Sequence, residues 1–557
     1  MATNLSNKVF TTHVSENQST QYPRWYSSET GIYRSKHPSI DLPSDPFLDV
    51  VSLIFSYKHN GVLALIDFSS GSSISYSELY RMVEAMASGL HHMGISQGDV
   101  VLILLPNCIY YPIIFLGVLF LGGVVTTMNP ISTMSEIKKQ ITDSNACLAF
   151  TESQKVNELQ VLGVPAIGVP QSVNFDLKPN GFSSFYKLIS GDSSLAPRPV
   201  IKQQDTAAVM YSSGTTGVSK GVVLTHRNFI AMVELFVRFE ASLYDYSSLE
   251  NVYLAILPMF HIYGLSLFVM GLLSLGSTVV VMRKFNVNDV VKAIDRFKVT
   301  HLPVVPPIIT ALTKSAKDFV GESFQSLKQV SCGAAPLSIR IIEDFVQTLP
   351  HIDFIQGYGL TESTAVGTRG FNTEKVRNYT SIGLLAPNME ARVVDWNTGS
   401  FLPLGKIGEL WLGGPAIMKG YLNNAEETML TVDKDGWLHT GDIVYIDENG
   451  YVHIIDRLKE VIKYKGFQIA PADLEAVLIC HPEIQDVAIT AIADEDCGEI
   501  PAAFVVKKQG SSLSEAAVMD YAAREVAPHK KVRKVVFLQS IPKSAAGKSS
   551  EGNLRSS

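Results

Sequence analysis

The stretch Tyr211-Ser-Ser-Gly-Thr-Thr-Gly-Val-Ser-Lys-Gly-Val222 carries more information about the fold than any other part of this chain. An apolar run, Thr206–Met210, precedes it, and a second run, Val222–His226, ends it. Between them lie small hydroxyl residues and glycines, which are typical of a tight loop. The pattern therefore predicts a strand, a loop and a second strand.

The loop contains the chemical groups that suit a polyphosphate. Glycine lets the backbone approach a ligand, hydroxyls donate hydrogen bonds, and lysine adds one mobile positive charge. These residues are Ser212, Ser213, Gly214, Thr215, Thr216 and Lys220. The pattern is not the Walker loop, which requires glycine where this chain has Ser219. Its glycine spacing also differs from the dinucleotide fingerprint, and taken alone the segment also fits a flexible turn.

The composition indicates a globular protein with more than one core. The chain has 557 residues, of which 46% are apolar and 18% charged, so a disordered chain is excluded. Its net charge is −7 and it has no basic tract, so we expect no nucleic-acid partner. Five cysteines form no CxxC pair, which favours a reducing compartment over a disulfide scaffold.

One apolar segment, Val100–Val125, approaches the length of a membrane span. Pro106 and Pro112 interrupt it, so we predict a strand over 100–105 followed by a core helix over 110–121. Periodicity alone does not exclude insertion into a membrane. The interruptions nevertheless favour a chain without a membrane span.

The two ends of the chain bear on its location. The first 21 residues are polar and lack the apolar core of a secretory signal. The last residues, Leu554-Arg-Ser-Ser557, are not a peroxisomal Ser-Lys-Leu address. We therefore expect a cytosolic protein.

The pattern of apolar and polar residues changes along the chain. Apolar runs alternate with helical patterns, such as the amphipathic Ser75–Met93, and predict an α/β fold with layered, largely parallel sheets. After about residue 380, short strands and turns such as Glu390–Asp395 and Gly408–Leu412 predict a small β-rich subdomain. A charged cluster at Asp456–Glu460 then precedes a mixed α and β region.

Five further motifs and a terminal Gly-Lys follow the hydroxyl-rich loop. They are Leu257-Pro-Met-Phe-His-Ile-Tyr-Gly264, Cys332-Gly-Ala-Ala-Pro336, Gln356-Gly-Tyr-Gly-Leu-Thr-Glu-Ser363, Gly436-Trp-Leu-His-Thr-Gly-Asp442, Asp456-Arg-Leu-Lys-Glu-Val-Ile-Lys-Tyr-Lys-Gly-Phe-Gln468 and Gly547-Lys548. In this order they resemble the signature of adenylate-forming enzymes, the acyl-CoA synthetase superfamily, and most of all plant 4-coumarate–CoA ligase-like proteins. The resemblance runs from about residue 45 to the C-terminus.

The resemblance implies a domain organisation. A large N-terminal domain of layered α/β subdomains and a small β-rich subdomain would be followed by a small mobile α+β domain. The predicted divisions are a polar lead-in (1–44), an AMP- and acyl-binding domain (45–455), a hinge (456–460) and a C-terminal mobile domain (461–557).

The resemblance also implies an activity. Such enzymes join a small-molecule carboxylic acid to AMP from ATP with Mg²⁺, and coenzyme A then replaces AMP to give a thioester. This chemistry needs charge neutralisation and positioning more than a protein nucleophile. A carrier-protein partner fused to the chain is not expected, because the sequence ends soon after Lys548.

By resemblance, individual residues acquire roles around the nucleotide. Thr361 contacts the α-phosphate, Glu362 holds Mg²⁺, and Lys548 neutralises the carboxylate and phosphates during adenylation. The other implied nucleotide contacts are Gln356, Gly357, Tyr358 against adenine, Asp442 and Arg457 at the ribose, Lys459 and Lys463. Lys463 with Gln468 matches residues needed near the active site, and the implied CoA contacts are Lys284, Lys465 and Gly466.

The acyl pocket is where the chain departs from true coumarate ligases. The resemblance places His261 and Tyr263 at its mouth and Ala334, Gly357 and Arg369 along its walls. Arg369 stands where those enzymes commonly have methionine. A fatty or jasmonate-precursor acid therefore competes with a hydroxycinnamate as the substrate. A non-catalytic acyl- or nucleotide-binding protein is the alternative outside enzymes.

Overall fold

The computed structural model describes residues 22–170, 183–212, 219–244, 251–318, 324–372, 377–458, 460–464, 467–494, 498–526 and 528–542. Within them the strands form four sheets, three before residue 458 and one after residue 461. The structure therefore has the predicted α/β class, with a large N-terminal and a smaller C-terminal domain.

The first sheet contains the strands that flank the hydroxyl-rich loop. Its seven strands, in spatial order, are Gly420–Tyr421, Lys220–Thr225, Thr206–Ser212, Val124–Thr127, Val100–Leu104, Ala146–Glu152 and Ala166–Val169. Thr206–Ser212 and Lys220–Thr225 pair antiparallel, so the prediction of strand, loop and strand is confirmed. The five strands from Thr206–Ser212 to Ala166–Val169 pair in parallel.

The second sheet carries most of the remaining motifs at the ends of its strands. In spatial order its nine strands are Leu384–Leu385, Thr368–Arg369, Asp353–Tyr358, Gln329–Cys332, His301–Val304, Val252–Ala255, Thr278–Val281, Leu63–Asp67 and Ser73–Ser75. The strands between Asp353–Tyr358 and Leu63–Asp67 run parallel. Ligands of open parallel sheets bind beyond the carboxyl ends of the strands, which here lead into Gly333 and Gly359.

Helices cover these sheets. The α-helices are Val50–Ser56, Tyr76–His92, Tyr111–Phe120, Met134–Ser144, Val156–Val161, Ser183–Ser190, His226–Met232, Phe239–Ser242, Ile262–Gly264, Val287–Phe297, Pro306–Asp318, Ile339–Thr348, Ala425–Thr431, Pro471–Leu478 and Glu515–Glu525. Ser75 caps Tyr76–His92 together with Glu78, which explains why the predicted amphipathic helix begins there. Two π-helical segments, Val233–Arg238 and Leu265–Gly271, continue His226–Met232 and Ile262–Gly264.

The apolar segment that resembled a membrane span is part of the core. It folds as the strand Val100–Leu104 and the helix Tyr111–Phe120, and every residue of that helix is buried. Among the described residues, no helix has both the length and the apolar character needed to cross a membrane.

The third sheet is the predicted β-rich subdomain, with one addition. Its six antiparallel strands are Tyr26–Ser27, Ile32–Arg34, Glu390–Val394, Gly408–Gly413, Leu438–Ile446 and Val452–Arg457. The first two strands come from the region predicted to be a polar lead-in (1–44). The described part of that region, which begins at residue 22, therefore belongs to the folded N-terminal domain. Buried Tyr33 anchors it, because its hydroxyl donates to the Leu402 carbonyl at 2.8 Å.

The C-terminal region has its own sheet and its own apolar core. The strands are Phe467–Ile469, Ile462–Tyr464, Gly498–Lys507, Ile484–Asp494 and Lys534–Leu538. Ile469, Leu474 and Val505 lie in a hydrophobic cluster separate from the one that ends at Val452. The predicted hinge, 456–460, lies between these two cores.

Candidate functional site

The hydroxyl-rich loop and the Thr-Glu motif meet at Glu362. Ser212 ends the strand before the loop, and Thr361–Ser363 forms a short 3₁₀ turn soon after the strand Asp353–Tyr358. The Ser212 hydroxyl donates to Glu362 Oε1 at 2.9 Å, and the Tyr421 hydroxyl donates to the same oxygen at 2.9 Å. The backbone is fixed as well, since Met418 N donates to the Glu362 carbonyl at 2.8 Å. The loop residues Ser213, Gly214, Thr215 and Thr216 lie outside the described residues.

Glu362 is suited to a magnesium ion that is shared with substrate phosphates. Mg²⁺ usually keeps several waters and takes only one or two protein carboxylates beside phosphate oxygens. A cage of three or more His, Cys, Asp or Glu ligands is absent from the described part of the chain. A single positioned carboxylate next to a phosphate loop fits the arrangement in which the substrate supplies the other ligands.

Lys220 lies beside the same turn, held by two residues that the sequence did not point to. Its ammonium group pairs with Glu427 and stands 5.1 Å from the centre of the Tyr421 ring. Burial and the Glu362 carboxylate raise the pKa of Tyr421, so this hydroxyl remains a hydrogen-bond donor. Tyr421 therefore contacts both the lysine and the acid of the site.

Tyr358, Asp442 and Arg457 form the second part of the site. Asp442 and Arg457 are partners in antiparallel register, and Arg457 Nε lies 3.3 Å from Asp442 Oδ1. The Tyr358 hydroxyl donates to Asp442 Oδ2 at 2.5 Å. Asp442 is buried, and desolvation and its charge raise the pKa of Tyr358 well above the ordinary value. A carboxylate has two acceptor oxygens, which matches the two neighbouring hydroxyl groups of a vicinal diol. Asp442 is therefore suited to accept hydrogen bonds from such a diol.

The side chain of Gln356 contacts a different segment from that of Tyr358, although both residues lie on the same strand. Its side-chain amide donates to the Tyr379 carbonyl at 2.7 Å, and its backbone carbonyl accepts from Gly370 N. The side chain of Gln356 thus supports the loop around residue 379 in this arrangement.

The residues predicted around the acyl group also gather in one place. His261 caps the short helix Ile262–Gly264 and accepts from Tyr263 N at 3.3 Å. The Tyr263 hydroxyl lies 3.4 Å from the Ser331 carbonyl, and its ring lies against Gly333. Ala334 has a left-handed backbone (φ 69°), which is strained for a residue with a side chain and is often found at binding sites.

Arg369 belongs to this group, but with a partner that the sequence did not reveal. It is the register partner of Gly357, and its Nη2 donates to Glu240 Oε1 at 2.9 Å. A second contact, from Nε to Glu240 Oε2 at 2.6 Å, is an ion pair without hydrogen-bond geometry. Burial alone would lower the pKa of Arg369, but the neighbouring Glu240 raises it, so the guanidinium group stays charged.

The C-terminal candidates are only partly described. Lys463 and Gln468 are backbone partners across two short antiparallel strands. Lys459, Lys465, Gly466 and Lys548 lie outside the described residues. Lys284 is exposed shortly after the strand Thr278–Val281, next to Arg283, which pairs with Glu152.

Comparison with protein-family models accounts for both regions of the chain. Residues 55–422 match the model described as AMP-binding enzyme, and residues 473–548 match the AMP-binding enzyme C-terminal domain. The chain belongs to the AMP-binding enzyme family. The adenylate-forming chemistry of this family uses ATP, Mg²⁺ and coenzyme A, and the protein is an AMP-forming acid–thiol ligase.

Relatives and solved structures agree with the family. The chain is 60% identical to 4-coumarate–CoA ligase-like 6 of Arabidopsis thaliana, over 96% of each chain. It is 44% identical to peroxisomal OPC-8:0-CoA ligase 1 of the same plant, over 94% of this chain and 95% of that protein. ATP-bound MatB from Rhodopseudomonas palustris superposes with a TM-score of 0.83 at 26% identity, covering 91% of this chain and 98% of that one.

Proposed function

We propose that this ligase activates its acid at the site formed by Glu362, Lys220 and Asp442. Asp442 accepts from the ribose, Tyr358 stacks on adenine, and Lys220 with the hydroxyl loop neutralises the phosphates. The substrate carboxylate attacks the α-phosphorus, pyrophosphate leaves, and the thiol of coenzyme A then displaces AMP from the acyl carbon. The observation that carries the proposal is the convergence of Ser212 and Tyr421 on one oxygen of Glu362.

The chemistry is divided among these residues according to charge. Mg²⁺ bound at Glu362 would offset the negative charge of the departing pyrophosphate, as metal ions do in phosphoryl transfer. Ser212 and Tyr421 orient the carboxylate and require no proton transfer of their own. Thr361, one residue before Glu362, is proposed as the α-phosphate contact. Preorganised charge of this kind lowers the barrier without a covalent enzyme intermediate.

The proposed acid is an arylpropenoic acid of the coumarate type, as the names of the relatives suggest. A jasmonate-precursor acid is the second candidate, because a relative at 44% identity is named for OPC-8:0. The polar Glu240–Arg369 pair beside Gly357 supports a compact acid over a long saturated one. The two candidates are separated by measuring thioester formation with each acid under identical conditions.

The proposed compartment is the cytosol. Cys108, Cys147, Cys332 and Cys480 are free thiols, which suits any reducing compartment. The peroxisome is the alternative, since one relative is named as peroxisomal. A fluorescent protein fused to the N-terminus in plant cells would distinguish the two, because a C-terminal fusion would mask a terminal address.

The experiment that tests the proposed site is a pyrophosphate-release assay with ATP, Mg²⁺ and 4-coumarate, followed by coenzyme A. Glu362→Gln keeps the shape of the side chain but removes its charge, so pyrophosphate release should fall by about 10²–10³. The matched control is Glu390→Gln, which neutralises an exposed carboxylate paired with Arg34 and should leave the rate unchanged. Release of ADP instead of AMP, or equal rates for both variants, would contradict the proposal.

A further inference from the structure

The ion pair between Glu240 and Arg369 lies where a pocket wall is expected to be apolar. Both side chains are largely buried, with 16% and 15% of their surfaces exposed. Burying two charges costs free energy that their attraction often only balances, so such a pair is weak evidence of a stabilising role. The role of the pair therefore depends on the residues that lie on its two sides.

One side of the pair faces the proposed acyl site. A Cβ atom on Gly357 would stand 2.8 Å from Arg369 Nη1 and 3.1 Å from its Cδ, so the arginine fills the space beside this glycine. The positive charge of the guanidinium group also opposes the rise that burial causes in the pKa of Tyr263. Arg369 thus lies beside Gly357 and close enough to Tyr263 to act on its charge, and both residues are predicted to surround the acyl group.

The other side of the pair faces an apolar cavity. This cavity is partly open to solvent and includes Glu240 and Arg369 in its lining. The rest of the lining is mostly hydrophobic and includes Leu235, Phe236, Phe239, Leu243, Phe371 and Leu384. Arg369 also stacks over Phe236, with 5.1 Å between the guanidinium carbon and the ring centre. The charged pair therefore borders both this cavity and Gly357 of the predicted acyl site.

We infer that the Glu240–Arg369 pair is the floor of the acyl pocket and sets the longest acid that the enzyme accepts. A compact acid ends at the guanidinium group, whereas an extended aliphatic chain would have to pass through the pair to reach the cavity. Passing through would separate two buried charges, which is strongly unfavourable. The substrate class is therefore short or aryl-sized acids. This inference rests on the proposed function, because it assumes that the acyl group lies beside Gly357 and Tyr263.

The test removes both charges together, since removal of one partner would leave the other buried and unpaired. The variant Arg369→Met with Glu240→Leu is compared with the wild type on hexanoic, decanoic and tetradecanoic acids. We expect kcat/KM for tetradecanoic acid to rise by about tenfold or more relative to hexanoic acid, the scale of one pocket contact. A length preference identical to that of the wild type would overturn the inference.

A second substitution checks that the gain depends on the cavity. Leu243 lines the cavity, so Leu243→Trp narrows it, and this residue lies outside the proposed catalytic residues. Added to the double variant, it should abolish the gain with tetradecanoic acid. In the wild-type protein it should change no rate, because the pair already closes the floor. Persistence of the gain in the triple variant would show that long chains take another route, and the inference would be wrong.

Binding measurements keep the inference separate from the proposed activity. Acyl-sulfamoyl adenosines of the same three lengths mimic the acyl-AMP without needing turnover, and calorimetry gives their affinities. If the wild type forms a thioester with none of the acids, the proposed function is wrong. The affinities of the acyl-sulfamoyl adenosines would still report the length of the pocket. If the apolar double variant fails to fold, Arg369→Gln with Glu240→Gln keeps hydrogen-bonding capacity without charge. It should shift the length preference in the same direction, and an unchanged preference would again overturn the inference.

Discussion

The Tyr358 hydroxyl donates to Asp442 Oδ2 at 2.5 Å, which joins the second sheet to the β-rich sheet at the proposed ribose site. Asp442 is thereby held between a neutral donor and the cationic Arg457. An incoming ribose has to compete with the tyrosine hydroxyl for one of these oxygens. The two residues are therefore expected to contribute to ATP binding in different ways.

Removal of the Asp442 carboxylate should weaken ATP binding far more than removal of the Tyr358 hydroxyl. Asp442→Ala deletes the ribose acceptor and should raise the KM for ATP by about 10–100-fold, as for a hydrogen bond to a charged group. Tyr358→Phe keeps the aromatic ring and frees one carboxylate oxygen, so the KM should change by less than about threefold. Initial rates over a range of ATP concentrations measure both. A larger effect of Tyr358→Phe would contradict the assignment of Asp442.

Lys220 and Glu427 allow a charge-by-charge test of the phosphate site. Lys220→Gln removes the proposed phosphate contact and should lower kcat for adenylation by about 10²–10³. Glu427→Gln leaves the lysine charge in place without its partner, so adenylation should be retained and the KM for pyrophosphate in the reverse reaction should fall. Pyrophosphate-exchange rates measure both directions. Equal losses in the two variants would indicate that the pair is structural only.

The part of the site that sequence could predict is the part encoded in short motifs. Ser212, Lys220, Glu362, Asp442 and Arg457 each lie in a short motif that carries the family resemblance, and the structure brings them into two groups. Their partners could not be found in this way. Glu427, Tyr421 and Glu240 acquire their positions from the packing of distant segments, and no periodicity or spacing in the sequence reports such contacts.

The fold shows the same division between local and distant information. The amphipathic helix after Ser75 and the strands on either side of the hydroxyl loop follow from periodicity and were predicted correctly. The strands Tyr26–Ser27 and Ile32–Arg34 were missed because two or three residues are too few to show alternation. The π-helical segments were missed too, since no residue pattern in these segments separates a π-helical turn from an α-helical one.

The pH dependence of stability should reveal Asp456 at the predicted hinge. This carboxylate accepts from Arg457 N at 2.7 Å and from Ala472 N at 3.1 Å, and burial raises its pKa from 3.8 to about 6. The folded state therefore binds the proton more tightly than the unfolded state. Its contribution is fully favourable below about pH 4 and is lost as the pH rises to about 6.

The variant Asp456→Asn removes this titration. Between pH 4 and pH 6.5, the wild type should lose about 1–3 kcal/mol of unfolding free energy relative to the variant, which corresponds to one to two pKa units. Urea unfolding at a series of pH values measures the difference. Glu475→Gln is a useful comparison, because burial raises the pKa of Glu475 to about 7. The stabilising contribution of Glu475 is therefore lost at higher pH than that of Asp456. If the difference in unfolding free energy between the wild type and Asp456→Asn is constant across this range, the pKa of Asp456 is not raised.

The order of the two half-reactions should be visible in variants on either side of the hinge. The family resemblance implies that Lys548 acts in adenylation and that residues near Lys463 act when coenzyme A attacks. In the arrangement described, Arg340 Nη1 of the large domain donates to the Cys480 carbonyl of the small domain at 2.9 Å. Rotation of the small domain about 456–460 would have to break this contact, which involves one exposed side chain and is therefore weak.

Lys548→Ala should therefore reduce acyl-AMP formation from ATP by about 10²–10³, because one preorganised charge at the transition state is lost. It should largely spare the attack of coenzyme A on acyl-AMP that is supplied ready-made. Lys459→Pro should do the reverse, since proline fixes the backbone where rotation is required and slows the second step. Single-turnover assays of each half-reaction measure the two effects separately. Equal losses in both half-reactions for both variants would reject alternation and favour one fixed site, because only a moving domain makes the two steps depend on different residues.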